Sequence, residues 1–147
     1  MQIKIKVNKT ISKLSIIVLL SPIFCQVLIN EYSASNLSWY TDNYQLEEDW
    51  IELYNTGSTE EDIGGYFLSD DPDEPAKWMI PGGTVIPADG YLVFWCSGRD
   101  EYSDNNYHTN FKLKQTKNNP DHVVFSDPYG SIIDDNEMFK TQLNHSM

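Results

Sequence analysis

The segment Asp49-Trp50-Ile51-Glu52-Leu53-Tyr54-Asn55 alternates with period two: Ile51 and Leu53 fall on one face, and Trp50, Glu52 and Tyr54 on the other. With an Asn-x-Gly turn (Asn55-Thr56-Gly57) at its end, it predicts a half-buried strand with a tight exit. The same pattern, a short apolar and aromatic run closed by Gly, Pro or Asp, recurs along the chain. Val27 to Ser33 predicts a first strand, and the polar, Asn/Ser/Tyr-rich stretch Ala34 to Glu48 a long loop. Ser58 to Asp62 reads as an acidic link, and the Gly64-Gly65 pair before Tyr66-Phe67-Leu68-Ser69 as a bend or a close backbone approach. Lys77 to Ile80 is a short strand stopped by Pro81-Gly82-Gly83, and Thr84 to Pro87 is extended. Tyr91 to Cys96 is apolar on both faces and so predicts an interior strand.

Ser97 to Asn106 reads as a second polar loop, and Phe111 to Lys114 alternates cleanly. After a turn at Lys117 to Pro120 come strands at His122 to Ser126 and Ser131 to Asp134, separated by the turn Asp127-Pro128-Tyr129-Gly130. Turns spaced by about 8–12 residues between short strands predict an all-β sandwich or barrel. A chain of 147 residues allows one such domain. No convincing helical period follows Gln26.

The first 25 residues stand apart. Lys4, Lys6, Lys9 and Lys13 precede an uncharged apolar run from Leu14 to Phe24, too short for a membrane span. This is the form of a secretory signal peptide, with cleavage expected near Cys25-Gln26. The expected division is a leader over 1–25, a β-sandwich over 26–140, and an incomplete C-terminal end over 141–147. The mature chain is expected outside the cell or on its surface, without a transmembrane span. A lipid anchor on Cys25 is a minor alternative, because Phe24 stands where a lipoprotein signal usually has a small residue.

Four of the 10 basic residues and none of the 22 acids lie in the leader, so its removal takes the formal charge from −12 to −16. Such a surface repels phosphate backbones, and a nucleic-acid partner is not expected. Cys96 would then be the sole cysteine, in an apolar run, and reads as a buried, inert thiol.

Chemistry-bearing motifs are sparse. His108, His122 and His145 each stand alone, without zinc-ligand spacing. Ser97-Gly98 lacks the remainder of a nucleophile elbow, although a Ser-His-Asp triad assembles in space and not in sequence. Glu31 and Glu52 lie in predicted strands and would form a carboxylate pair if they face each other; most such acids are solvated. Asp70, Asp71, Asp73 and Glu74 crowd one Pro-bounded turn, the best candidate for a weak calcium site, against the plainer reading of a solvated loop. Trp39, Tyr40, Tyr44, Tyr102 and Tyr107 fall in the two long loops and would make a surface for a protein or glycan partner, unless they pack back over the core edge. No cofactor and no catalytic residue is expected.

The ordered series Ile29-Asn30-Glu31, Asp49 to Asn55, Gly65 to Asp70, Lys77-Trp78, Ile80-Pro81, Ala88 to Trp95, Asn110 to Leu113, Asp127 to Gly130 and Ile133-Asp134 resembles the lamin tail domain family, in its secreted bacterial branch. The resemblance spans nearly all of the mature chain. It implies an immunoglobulin-like β-sandwich that mediates protein or surface interaction without catalysis. The alternative it leaves is an N-terminal accessory module of a larger secreted hydrolase or nuclease. The nuclear members' DNA contacts are not carried over, given the acidity of this chain. Two departures are the long, Tyr-rich Ala34–Glu48 insert and an end at Met147 about where the family's Ser-aromatic-Gly-Arg segment would begin.

Overall fold

The computed structural model describes residues 26–37, 40–114 and 121–138. The leader with Cys25, Trp39, the expected turn at Lys117 to Pro120, and the end with His145 lie outside the described residues. Among the described residues eleven strands form: β1 (Val27–Ser33), β2 (Trp50–Asn55), β3 (Glu61–Asp62), β4 (Phe67–Ser69), β5 (Trp78–Met79), β6 (Val85–Ile86), β7 (Tyr91–Trp95), β8 (Glu101–Ser103), β9 (Asn106–His108), β10 (His122–Ser126) and β11 (Ile132–Glu137). Among the described residues no helix is long and apolar enough to cross a membrane.

The strands build a five-stranded sheet of order β1-β2-β7-β9-β8, a four-stranded sheet of order β11-β10-β4-β5, and a small β3-β6 ribbon. All ladders are antiparallel except β7–β9. As the alternation predicts, Ile51 and Leu53 of β2 are fully buried, and they share the core with Leu68, Val123 and Phe125 of the four-stranded sheet. Phe94 of β7 meets Trp78 of β5 edge-on at 6.0 Å, which joins the two sheets through aromatic side chains. The layout is a β-sandwich, one of the two architectures that the turn spacing allows, and of the immunoglobulin-like kind that the family resemblance implies. β7 lies between β2 and β9, the interior place its two-sided apolar sequence calls for.

Asn55 ends β2 as a fully buried polar hub. Its Nδ2 donates to the carbonyls of Thr59, Ile86 and Pro87, while its Oδ1 accepts the Gly57 N–H at 2.9 Å. The Asn-x-Gly turn is thus also the tie between β2 and the β3-β6 ribbon. At the glycine pair both readings hold. A Cβ on Gly64 would stand 2.8 Å from the Gly83 nitrogen, and Gly65 has φ +86°.

Three local expectations are corrected. Ser97–Asn106 is not loop throughout: β8 and β9 form a hairpin whose central residues, Asp104 and Asn105, have φ of 49° and 60°. Positive φ at both positions is the primed two-residue turn that matches strand twist, and Asp and Asn tolerate it without glycine. Ser58–Asp62 contains the two-residue β3. Phe111–Lys114 keeps its alternation, with Phe111 and Leu113 buried, but joins no ladder. The Ala34–Glu48 insert holds no strand among its described residues.

A candidate binding groove on the five-stranded sheet

The outward face of the five-stranded sheet follows from the register. β1, β2 and β7 pair Leu28 with Tyr54 and Tyr91, Glu31 with Glu52 and Val93, and Ser33 with Trp50 and Trp95. Three rows result: an exposed apolar row in which Tyr54 and Tyr91 stack at 4.5 Å, a row holding both glutamates, and a row of two tryptophans. The condition set in the sequence reading, that Glu31 and Glu52 face each other, is met, although solvated acids were the plainer expectation. Glu31 and Glu52 are direct cross-strand partners, which sets their Cβ atoms about 4.5–5.5 Å apart. Glu52 Oε1 accepts the Asn30 Nδ2 donor at 2.8 Å.

Between the glutamate and tryptophan rows lies a groove of about 270 Å³, bounded by Glu31, Glu52, Trp50, Trp95, Tyr40 and Asn106 together with Leu92, Val93 and Asn105 of β7 and the hairpin. Trp50 and Trp95 are only 6% and 7% exposed although they face away from the core. Tyr40, 58% exposed, stands edge-on to Trp50 at 5.8 Å. The Trp95 indole donates to Asn106 Oδ1 at 2.9 Å. The Trp50 indole N–H is buried and has no acceptor among the described residues.

The 34–48 loop is what covers the far end of this face, and buried polar side chains fix it. Asn36 Nδ2 donates to the carbonyls of Tyr40 and Glu48. Asp42, almost wholly buried, accepts the N–H groups of Tyr44 and Leu46. Arg99 binds Asp42 at 3.0 Å and Glu48 at 3.2 Å, and lies 4.7 Å over the Tyr44 ring. The buried His108 links Ser97 Oγ, at 3.0 Å from Nδ1, to Asn43 Oδ1, at 2.8 Å from Nε2. Burial lowers the His108 pKa, so the neutral ring serves as a strut between sheet and loop. Ser97 and His108 do meet in space, but beneath the loop, and Ser97 Oγ also accepts the Arg99 N–H. Asp49, where the loop enters β2, accepts the Asn36 N–H, and burial pushes its pKa up to about 6. Cys96 is buried, and that burial raises its thiol pKa well above the usual value.

The loop aromatics do not form one surface. Tyr40 joins the groove. Tyr44 donates to Glu101 Oε1 at 2.6 Å, and that bond raises the phenol's pKa. Tyr102 and Tyr107 stack on each other at 4.6 Å, and Tyr107 packs on Phe94, on the inward side of the same sheet. Trp39 lies outside the described residues. In the acidic turn, Asp70 binds Lys77 and Asp71 accepts the Asp73 N–H at 2.9 Å. Asp70, Asp71 and Asp73 line a polar recess of about 330 Å³ with Asp121 and His122, and no group of three or more metal-ligating side chains is assembled among the described residues. His122 instead pairs with Asp135 at 2.7 Å.

Trp50, Trp95 and Asn106 were not singled out by sequence reasoning. The signal was present, since Trp50 alternates out of the core, but the loop that converts it from a surface ring to a groove wall is distant in sequence. A comparison with curated proteins gives no match. The profile of the Lamin Tail Domain matches residues 24–138, which covers every strand described above. The chain belongs to the lamin tail domain family.

Proposed function

We propose that the protein is an exported, non-catalytic lamin-tail module that holds a protein partner on the outward face of its five-stranded sheet. The observation that carries this reading is the groove itself, an aromatic and acidic recess on a rigid sheet, continuous with the exposed Leu28–Tyr54–Tyr91 row. Apolar area flanked by polar groups is the usual anatomy of an interaction surface. A basic start with a short apolar run supports export. The burial of Ser97 and His108 supports a structural role for that pair.

The test places a photoreactive residue at Tyr91, on the proposed face, or at Tyr129, which is 94% exposed in the turn of the opposite sheet. With the full chain expressed in an exporting cell, a discrete cross-linked partner is expected from Tyr91 and not from Tyr129, in extracellular or surface material. Equal cross-linking from both positions, or retention of the chain inside the cell, overturns the proposal.

A further inference from the structure

We propose that residues 41–46 are an acid-released flap: protonation of His108 frees them from the five-stranded sheet and lengthens its outward face toward β8 and β9. The inference rests on the reading of that face as the interaction surface and names its regulation.

The seat of the flap follows from the register. The row that pairs Ser33 with Trp50 and Trp95 runs on through the parallel ladder to His108, and then to Glu101 of β8. His108 therefore faces away from the core, yet it is 0% exposed. The flap lies against it. Asn43 Oδ1 is 2.8 Å from Nε2, the Tyr44 ring is 5.7 Å from the imidazole, and the Tyr44 hydroxyl bonds Glu101. The flap is also bonded to itself. Asp42 N–H donates to the Leu46 carbonyl and Gln45 N–H to the Asp42 carbonyl, both at 3.0 Å, while Asp42 Oδ1 accepts from Tyr44 and Leu46. Such a turn keeps its shape when it moves. Its neck is closed by Asn36, which donates to the carbonyls of Tyr40 and Glu48, so the flap pivots there as one body.

His108 is the titrating contact. In the neutral ring Nε2–H donates to Asn43 Oδ1, and Nδ1 accepts the Ser97 hydroxyl, whose oxygen accepts the Arg99 N–H. A proton on Nδ1 turns that hydroxyl away and places a cation in a buried site. The charges that face the ring are Arg99 of the β7–β8 turn, which opposes the cation, and Asp42 and Glu48 of the loop with Glu101 of β8, which favour it. All three carboxylates are already engaged, Asp42 and Glu48 by Arg99 and Glu101 by Tyr44. Burial outweighs them and holds the ring's pKa below its ordinary 6.5. Lifting the flap brings water to the ring and restores that value. The open state then takes a proton that the closed state refuses. Opening is favoured by up to about tenfold for each pH unit below 6.5, until the closed ring itself titrates.

The experiment places nitroxide labels on the full chain at Gln45→Cys in the flap and Tyr129→Cys on the opposite sheet, both exposed positions, and measures the distance between them at pH 7.5 and pH 5. Cys96 is buried and does not compete for the label. The distance distribution should gain a longer, broader component at pH 5, with the open fraction up by about tenfold. The pair Tyr91→Cys/Tyr129→Cys lies off the flap and should keep its distance, which separates opening from unfolding. His108→Gln retains a donor for Asn43 and takes no proton, so the flap should stay closed at pH 5. His122→Gln and Asp49→Asn should open as the parent does. The His108 ring titration, followed by NMR in the unlabelled parent, should share its midpoint with the distance change, and it decides the matter if His108→Gln fails to fold.

The proposal is overturned if the Gln45 distance is the same at both pH values, if the Tyr91 distance changes with it, if His108→Gln opens like the parent, or if ring and flap titrate apart. A fixed flap with a partner still cross-linked from Tyr91 refutes the flap and leaves the face standing. A flap that opens, with nothing cross-linked from Tyr91, upholds the flap and refutes the face.

Discussion

The main-chain N–H of Ile29 donates to Oδ2 of Asp134 at 3.0 Å, across 105 residues of sequence. Ile29 lies where the β1–β2 register slips by one residue, between Ile29 and Glu31. A bulge disrupts its ladder locally, and edge strands are places where unpaired donors invite foreign strands. Here a carboxylate from β11, the edge of the other sheet, takes the donor, so one bond joins two sheet edges. β11 also carries Asp135 and Glu137, charges that disfavour pairing with another chain.

Asp134→Ala should therefore destabilise the domain by about 1–2 kcal/mol, the cost of an orphaned, partly buried N–H. Asp134→Asn, which keeps an acceptor oxygen, should retain most of the stability. Denaturant midpoints at constant slope check this; equal midpoints for the parent and the alanine variant would show that the bond does not matter.

Leu53 and Phe94 are fully buried, from adjacent strands, between the two sheets. Truncating either to alanine removes contacts and leaves a cavity, at a cost of about 2–5 kcal/mol. Against a total stability of about 5–15 kcal/mol, that should lower the melting temperature by many degrees. Tyr129→Ala, at an exposed turn, should be nearly silent. Melting curves that coincide for all four proteins would refute the assignment of the core.

The core faces were legible because they depend on local periodicity. Ile51, Leu53 and Phe94 alternate with outward residues over a few positions, and burial follows directly. The interior strand was legible from apolar residues on both its faces, and the glycine bend from the Gly64-Gly65 pair itself, both equally local signals. The β8–β9 hairpin was not, because its turn uses Asp104-Asn105, a weaker signal than Asn-Gly. The groove was half legible. Sequence supplied the outward Trp50 and the glutamate pair, but the wall depends on Tyr40 folding back over Trp50. That fold-back is set by Asn36, Asp42, Arg99 and His108, polar residues that a composition-based reading assigns to a solvated loop. Buried polar networks lack periodicity and become visible only in three dimensions.

Calcium at the Asp70–Glu74 turn must compete with a protein cation. Lys77 already binds Asp70. We expect affinity no tighter than that of weak extracellular modules, roughly 10⁻⁴–10⁻³ M. Excess calcium over chelator should then raise the melting temperature slightly, more in Lys77→Met, where the competitor is gone, and not at all in Asp71→Asn/Asp73→Asn. Equal shifts in all three proteins, or none in any, would show that the turn is a solvated acidic loop.

Asp49 gives the domain a stability that falls as pH rises. Its ordinary value is 3.8, and burial, only partly opposed by the Asn36 N–H, holds it at about 6 in the folded state. Between those values the folded chain binds more protons than the unfolded chain, so unfolding free energy decreases with rising pH. Above about pH 6 the whole penalty is present. The two-unit shift sets a ceiling of about 3 kcal/mol, and partial solvent exposure reduces the expected effect to about 1–2 kcal/mol. Asp49→Asn removes the charge and keeps an oxygen that can accept the Asn36 N–H. The variant should exceed the parent in stability by that amount at pH 7.5, with the difference vanishing near pH 4. His108 acts in the opposite sense. Its lowered pKa removes stability as pH falls below its ordinary value of 6.5, because the unfolded ring takes a proton that the buried ring refuses. That contribution is common to both proteins and cancels in the difference between them. Denaturant unfolding of the pair from pH 4 to pH 8 therefore isolates Asp49, and a difference independent of pH would show that its carboxyl titrates normally.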